Sequence, residues 1–191
     1  MMVEIEHTPN PGTLKFLPGK KVSEVGPIEF LKNDKNIKVS LANKILSLEG
    51  TVMVFFGENF ITVKKEKDLN WKDMKHGIIS EINDYYSKGN EVVVGKDLKL
   101  AKILSESVSD SKPVESNAVV NKIKEVLDSK IRPAVARDGG DITFRSFKDG
   151  IVTVELKGSC SGCPSSIMTL KQGVQNLLCH YIPEVKSVEA I

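Results

Sequence analysis

No arginine precedes Arg132, cysteine occurs three times and tryptophan once in 191 residues. Each scarcity excludes something. Without arginine, the opening MMVEIEHTPNPG is no Arg-rich transit peptide, and without a basic start and an apolar stretch it is no secretory signal. The expectation is a chain that stays where it is made or has already been processed. Three cysteines are too few to staple a chain of this length with disulfides. An excess of one charge is also missing: Lys+Arg number 27 against Asp+Glu 25, a net charge of +2. A large phosphate-binding surface needs a basic stripe, so no nucleic-acid partner is expected. No apolar run approaches the ~18 residues of a membrane span, and the best, Thr51 to Phe56, is strand-sized. Hydrophobic residues at 40% and charged residues at 27% are ordinary for a globular protein and exclude wholesale disorder.

What is present divides into two halves around a polar hinge. Ser105 to Asn117, SESVSDSKPVESN, carries no sustained apolar period and reads as a linker. The expected organisation is a domain over residues 1–104, a flexible linker over 105–116 and a second domain over 117–191. Charges are nearly balanced on each side of the hinge, so neither half is a charged tail.

The first half opens with Val3-Glu4-Ile5-Glu6-His7, which alternates like a half-buried strand. Thr8-Pro9-Asn10-Pro11-Gly12 interrupts it and Leu14 to Leu17 resumes extended, predicting a hairpin. Leu41, Ile45 and Leu48 fall at helical spacing, with Gly50 just beyond. Thr51 to Phe56 and Phe60 to Lys64 flank a second turn. Asp68 is the expected cap of a helix carrying Trp71, Met74, Ile78, Ile82 and Tyr85 on one face. The second half reads α-β-β-α-β. Val119, Ile123, Val126, Leu127 and Ile131 form a helical stripe that Arg132-Pro133 disturbs. Asp138-Gly139-Gly140-Asp141 marks a turn, and Ile142–Phe147 with Ile151–Leu156 form a hairpin. A helix containing Ile167 to Leu178 and a short strand from Val185 finish the chain. The fold class is α+β, in two small domains.

Cys160 and Cys163 form a C-x-x-C in the loop between that hairpin and the helix. Pro164 suits the first helical position, which places Cys163 at or near the N-cap. Unpaired backbone N–H groups and the positive end of the helix dipole then favour thiolate, so both thiol pKa values are expected to fall. Gly158 and Gly162 permit close backbone approach to sulfur, and Ser159, Ser161 and Ser165 offer further donors. Such a loop suits a soft metal bound through sulfur.

Four readings fit the pair. A zinc site wants four ligands, and Cys179, His180, His76 and His7 are the remaining candidates. Cys179 follows Cys163 by 16 residues along one predicted helix, ~24 Å at ~1.5 Å per residue unless the helix breaks at Gly173. A thioredoxin-like dithiol oxidoreductase shares the strand–C-x-x-C–helix order, although only 28 residues follow Cys163 to complete such a sheet. Inert buried cysteines leave the Gly/Ser-rich loop unexplained. An iron–sulfur cluster needs four thiolates, and two chains supply them if each brings Cys160 and Cys163 to a two-fold axis. Two thiols per chain release a cluster readily, which suits a donor better than an electron carrier. No nucleophile–base pair or phosphate loop argues for catalysis, so the chain is not expected to be an enzyme. Arg132, Arg137 and Arg145 are all the arginines, gathered in one window. Bidentate pairing with Asp138 or Asp141 would fix the turn, and the alternative is to offset the charge of a bound cluster. Cys179 reads as a half-buried helix residue.

The second half resembles the NifU-like C-terminal domain of the NFU family of iron–sulfur scaffold and carrier proteins. The likeness rests on Ile131-Arg132-Pro133, Asp138-Gly139-Gly140-Asp141, Gly158 to Ser166 (GSCSGCPSS), Thr169-Leu170-Lys171 and Tyr181 to Val185. The first half resembles that family's N-terminal domain at Thr8 to Phe16 (TPNPGTLKF), Leu48-Glu49-Gly50 and Phe55-Phe56-Gly57. The two-domain layout is similar to the mitochondrial branch and its α-proteobacterial relatives. The resemblance implies a homodimer that holds a transient [4Fe–4S] cluster on Cys160 and Cys163 of both chains. It implies loading by upstream assembly machinery and delivery to apo-enzymes such as lipoyl synthase and aconitase. The N-terminal domain is then expected to recognise partners. The compartment is expected to be the bacterial cytoplasm, or the mitochondrial matrix for a processed eukaryotic form.

Overall fold

The alternation at the start of the chain produces an edge strand. In the computed structural model, which describes residues 2–35, 37–95, 118–161 and 164–191, β1 (Glu4–His7) pairs antiparallel with β2 (Thr13–Leu17). The turn between them is held by Asn10, whose Oδ1 accepts from Gly12 N at 2.9 Å and whose carbonyl accepts from Thr13 N at 2.9 Å. The chain divides into two compact units, residues 1–106 and 107–191, and each has its own hydrophobic core. The stretch read as a linker, residues 105–116, lies outside the described residues.

In the first unit β3 (Ile28–Leu31), β4 (Thr51–Phe56) and β5 (Ile61–Lys65) complete an antiparallel sheet of order β1-β2-β5-β4-β3. Strand β3 had no expectation from the sequence. One sheet face presents Leu14, Phe16, Val54, Phe56, Ile61 and Val63 to the core that includes α1 (Ser40–Ser47) and α2 (Trp71–Ser87). Both helices enter through apolar residues one turn apart: Leu41 and Ile45 from α1, and Ile78 and Ile82 from α2, are all fully buried. Two details differ from expectation. The cap of α2 is Asn70, whose Oδ1 accepts from Lys72 N at 3.0 Å, because Asn70 and not Asp68 directly precedes the first helical residue. Tyr86 lies deeper than Tyr85, and its hydroxyl donates to the Lys21 carbonyl at 3.1 Å.

The second unit begins with α3 (Ala118–Val126), widens into a π turn over Leu127–Ile131, and resumes as α4 (Arg132–Arg137). Pro133 accounts for the wide turn. Its ring cannot donate and would clash with the carbonyl four residues back, and the π register relieves both without ending the helix. Ile123, Leu127, Ile131 and Val135 still share the buried side. Gly139 (φ 84°) ends α4. Strand β6 (Gly140–Lys148) then pairs antiparallel with β7 (Ile151–Gly158). Their two-residue turn, Asp149 (φ 54°) and Gly150 (φ 86°), has the left-handed backbone that matches strand twist. Arg145 is the extra residue of a bulge between Phe144 and Ser146. After β7 come α5 (Pro164–Tyr181) and β8 (Ser187–Ala190), which pairs parallel to β7. The α-β-β-α-β order read from the sequence is thus observed, with the sheet in order β6-β7-β8. Both units together make the fold α+β.

Candidate functional site

The loop carrying the paired cysteines starts where β7 stops. Gly158 (φ 68°) is the last residue of β7 and faces Gly140, the first residue of β6. Its carbonyl accepts from Ser161 N at 3.2 Å and from Ser161 Oγ at 2.8 Å, so the chain reverses sharply over residues 158–161. Ser159 N donates to the Gly139 carbonyl at 3.1 Å, tying the turn to the end of α4. The Ser161 hydroxyl therefore closes the turn rather than waiting as a donor to sulfur.

This turn directs Cys160 inward. The residue is 7% exposed and belongs to the apolar core of the second unit. Its side chain lies against Gly140, at the start of β6. A Cβ built on Gly140 would lie 2.7 Å from Cys160 Sγ, 2.6 Å from the Lys157 carbonyl oxygen and 3.2 Å from Cys160 N. No other residue type fits there without displacement. The two adjacent glycines thus answer different needs: Gly139 supplies a left-handed backbone, and Gly140 supplies room.

Burial pushes the Cys160 thiol up to about 12, with the carboxylates of Asp138 and Asp141 adding to the shift. This corrects the expectation of a lowered value. The helix-dipole argument assumed a thiol facing water and the helix end, whereas the observed side chain is desolvated beside two acidic residues. Cys163 and Gly162 lie outside the described residues, as do the side chains of Pro164, Ser165 and Ser166. Helix α5 does begin at Pro164, which agrees with proline at the first helical position.

The other candidates are dispersed. Helix α5 runs unbroken through Gly173, so Cys179, fifteen residues after Pro164, is about 22 Å along the axis. It is half-buried and packs on the second core. His7 and His76 are exposed on β1 and α2 of the first unit. His180 is exposed in the last turn of α5, edge-on to Tyr181 at 5.1 Å between ring centres. Among the described residues no three of His, Cys, Asp and Glu converge as metal ligands.

Arg132 and Arg145 are engaged structurally. Arg132 grips Asp141 with Nε to Oδ1 at 2.9 Å and Nη2 to Oδ2 at 3.1 Å, and its Nη1 reaches Asp128 Oδ1 at 3.0 Å. Arg145 donates to Glu155, which also pairs with Lys157 at 3.3 Å. Burial pushes the Glu155 carboxyl up, but the Arg145 hydrogen bond and the Lys157 charge outweigh it and hold the group below its usual range. The expectation of an arginine bidentate to Asp138 or Asp141 is met at Asp141. Reading the sequence missed Gly140; its signal was the second glycine of Asp138-Gly139-Gly140-Asp141, read only as a turn residue.

Comparison with known proteins places both halves. Residues 3–89 match the family model "Scaffold protein Nfu/NifU N terminal", and residues 123–189 match "NifU-like domain". The chain is 43% identical to "NifU-like protein 4, mitochondrial" of Arabidopsis thaliana over 191 residues, 99% of this chain and 65% of that protein. It is 43% identical to "NFU1 iron-sulfur cluster scaffold homolog, mitochondrial" of Homo sapiens over 192 residues, 100% of this chain and 72% of that protein. The chain therefore spans about two thirds of the length of these curated relatives. A solved NifU-like protein from Saccharomyces cerevisiae is 25% identical, with a TM-score of 0.46 over 50% of this chain and 86% of that one.

Proposed function

Because the chain belongs to the Nfu family of iron–sulfur cluster scaffold proteins, we propose that it carries a [4Fe–4S] cluster between two copies of itself and delivers it to apo-proteins. Cys160 and Cys163 of each copy are the ligands in this reading. The observation that carries it, beyond the family, is the isolation of the C-x-x-C. A cluster takes four thiolates. The sequence holds three cysteines, and the unbroken α5 removes Cys179 from the loop by about 22 Å. One copy thus offers two ligands, and a second copy supplies the other two.

A cargo held by two thiols from each side is released when the copies part. That suits transfer, and turnover of a substrate is not part of the reading. The competing dithiol oxidoreductase needs an attacking thiolate near neutral pH. A Cys160 thiol raised to about 12 would leave that attack to Cys163, and the assay below decides between the two readings.

The two units divide the work: residues 117–191 hold the cluster, and residues 1–104 select acceptors of the kind the family resemblance implies, such as apo-lipoyl synthase and apo-aconitase. The mitochondrial names of the relatives favour the matrix over the bacterial cytoplasm.

The test is anaerobic addition of ferrous iron and sulfide to the reduced chain, followed by size-exclusion chromatography and Mössbauer spectroscopy. A brown dimer with four irons per two chains is expected. A colourless monomer that catalytically reduces a test disulfide would replace this reading with the oxidoreductase.

A further inference from the structure

Cys160 occupies a place that only a missing side chain provides. Gly140 does not have a left-handed φ, so its backbone alone would accept other residues. The constraint is spatial: a Gly140 Cβ would lie 2.6 Å from the Lys157 carbonyl oxygen, which the backbone holds in place, and 2.7 Å from the Cys160 sulfur, the one of the two that can swing away. Around it the thiol meets the apolar core of the second unit, which includes Val135, Ile142 and Leu156, with the carboxylates of Asp138 and Asp141 also near it. A protonated thiol behaves there as a small apolar side chain.

That position is incompatible with the ligand role. A ligand to a cluster shared between two copies must reach a surface that the second copy also reaches, and Cys160 is 7% exposed. We propose that Cys160 alternates between two seats: an inner one, formed by the bare face of Gly140, in the cluster-free chain, and an outer one that it takes when a cluster is loaded. Gly140 is a positioning residue in this scheme. It never touches the cargo, and it acts by giving the empty chain a sheltered thiol. An exposed low-pKa thiolate waiting for cargo is the form most open to sulfenic acid and mixed-disulfide formation. The inner seat removes that exposure while the site is empty. The inference rests on the assignment of Cys160 as a ligand for its purpose, but the inner seat itself is tested without iron.

The experiment follows alkylation of each cysteine by iodoacetamide in the reduced, metal-free, full-length chain, resolved by peptide mass spectrometry. Cys160 is expected to react at least tenfold more slowly in the native chain than in the same chain unfolded in urea. In Gly140→Ala, checked for a native far-UV spectrum, the added methyl pushes the sulfur out, and Cys160 labelling is expected to accelerate severalfold. Labelling of native Cys160 at the unfolded rate overturns the proposal, as does a folded Gly140→Ala that stays equally protected. If Gly140→Ala does not fold, Cys160→Asp decides. An inner seat would bury a third carboxylate beside Asp138 and Asp141 and lower the thermal midpoint, whereas an unchanged midpoint places residue 160 in solvent and overturns the seat. Reconstitution separates the two claims. Protected Cys160 without cluster assembly ends the ligand reading alone, and assembly without protection ends the inner seat alone.

Discussion

Arg132 and Asp141 face each other as a fork on a carboxylate, at 2.9 and 3.1 Å, across the junction between α4 and β6. Asp141 is 6% exposed, so its charge has little water to fall back on. The pair fixes the start of β6 next to Gly140 and so supports the floor beneath Cys160. Arg132→Ala is expected to cost about 2–3 kcal/mol, less than a fully buried pair because Arg132 itself is partly exposed. Arg132→Lys keeps the charge but loses the fork and should fall between the two. Urea unfolding followed by circular dichroism measures both. An Arg132→Ala midpoint equal to the parent's would mean that the pair adds nothing.

Ligand assignment gives a second expectation. Cys160→Ala and Cys163→Ala should each prevent a stable cluster, because the dimer keeps two thiolates of four. Cys179→Ala should load normally, since α5 holds that sulfur a helix length away. Iron and sulfide content after desalting reads the outcome. Loss of the cluster from a folded Cys179→Ala protein would overturn the assignment.

Tyr86 supplies a pH dependence. Burial, with a smaller contribution from Tyr85, pushes its phenol up from 10.0 to about 12. The folded value lies above the unfolded one, so the stabilisation is fully present below pH 10 and is lost as pH rises through about 12. Absorbance at 295 nm should show one tyrosine ionising near pH 12 in the folded chain, and Tyr86→Phe should remove that step. Three tyrosines all titrating by pH 10.5 in a folded chain would contradict the burial of this phenol.

How far the sequence speaks depends on the range of the interaction. Asp149-Gly150 specifies its own turn, and the hairpin β6–β7 follows from two residues and flanking alternation. The stripe from Ile123 to Ile131 is equally local, and it survives the π turn because one added residue rotates the helix without hiding the apolar side. The strand β3 is four residues behind Pro27, too short to show a period, and only its pairing with β4 makes it a strand. The insertion of β5 between β2 and β4 is likewise a property of the assembled sheet. The loop position of Cys160 was legible from Gly158 and Pro164. The direction of its side chain was not, because it depends on a residue twenty positions earlier, Gly140, meeting it at the start of β6. Burial of the inward side chain, with the charges of Asp138 and Asp141, reversed the expected shift of the thiol.

The last expectation concerns the first unit. It contains no cysteine, and its two histidines, His7 and His76, are exposed on different elements, so it brings no cluster ligand set of its own. It also has a separate core, built from both hairpins, α1 and α2, so the second unit is expected to fold without it. What it does offer is shape. Strands β1 and β3 are the edges of its sheet, and an edge can add a strand from another protein. Exposed Glu4, Glu6 and His7 line one edge, and Leu31, 48% exposed, ends the other. The near-neutral charge of the chain argues against long-range electrostatic capture, so recognition should be of short range and weakly dependent on salt. Removal of residues 1–104 is therefore expected to leave cluster assembly nearly unchanged and to slow transfer to those acceptors the unit recognises. The measurement compares transfer rates from full-length and shortened donors to at least two apo-acceptors, at two salt concentrations. Equal rates for every acceptor would end the recognition role, and a shortened donor that cannot load would move the first unit into assembly.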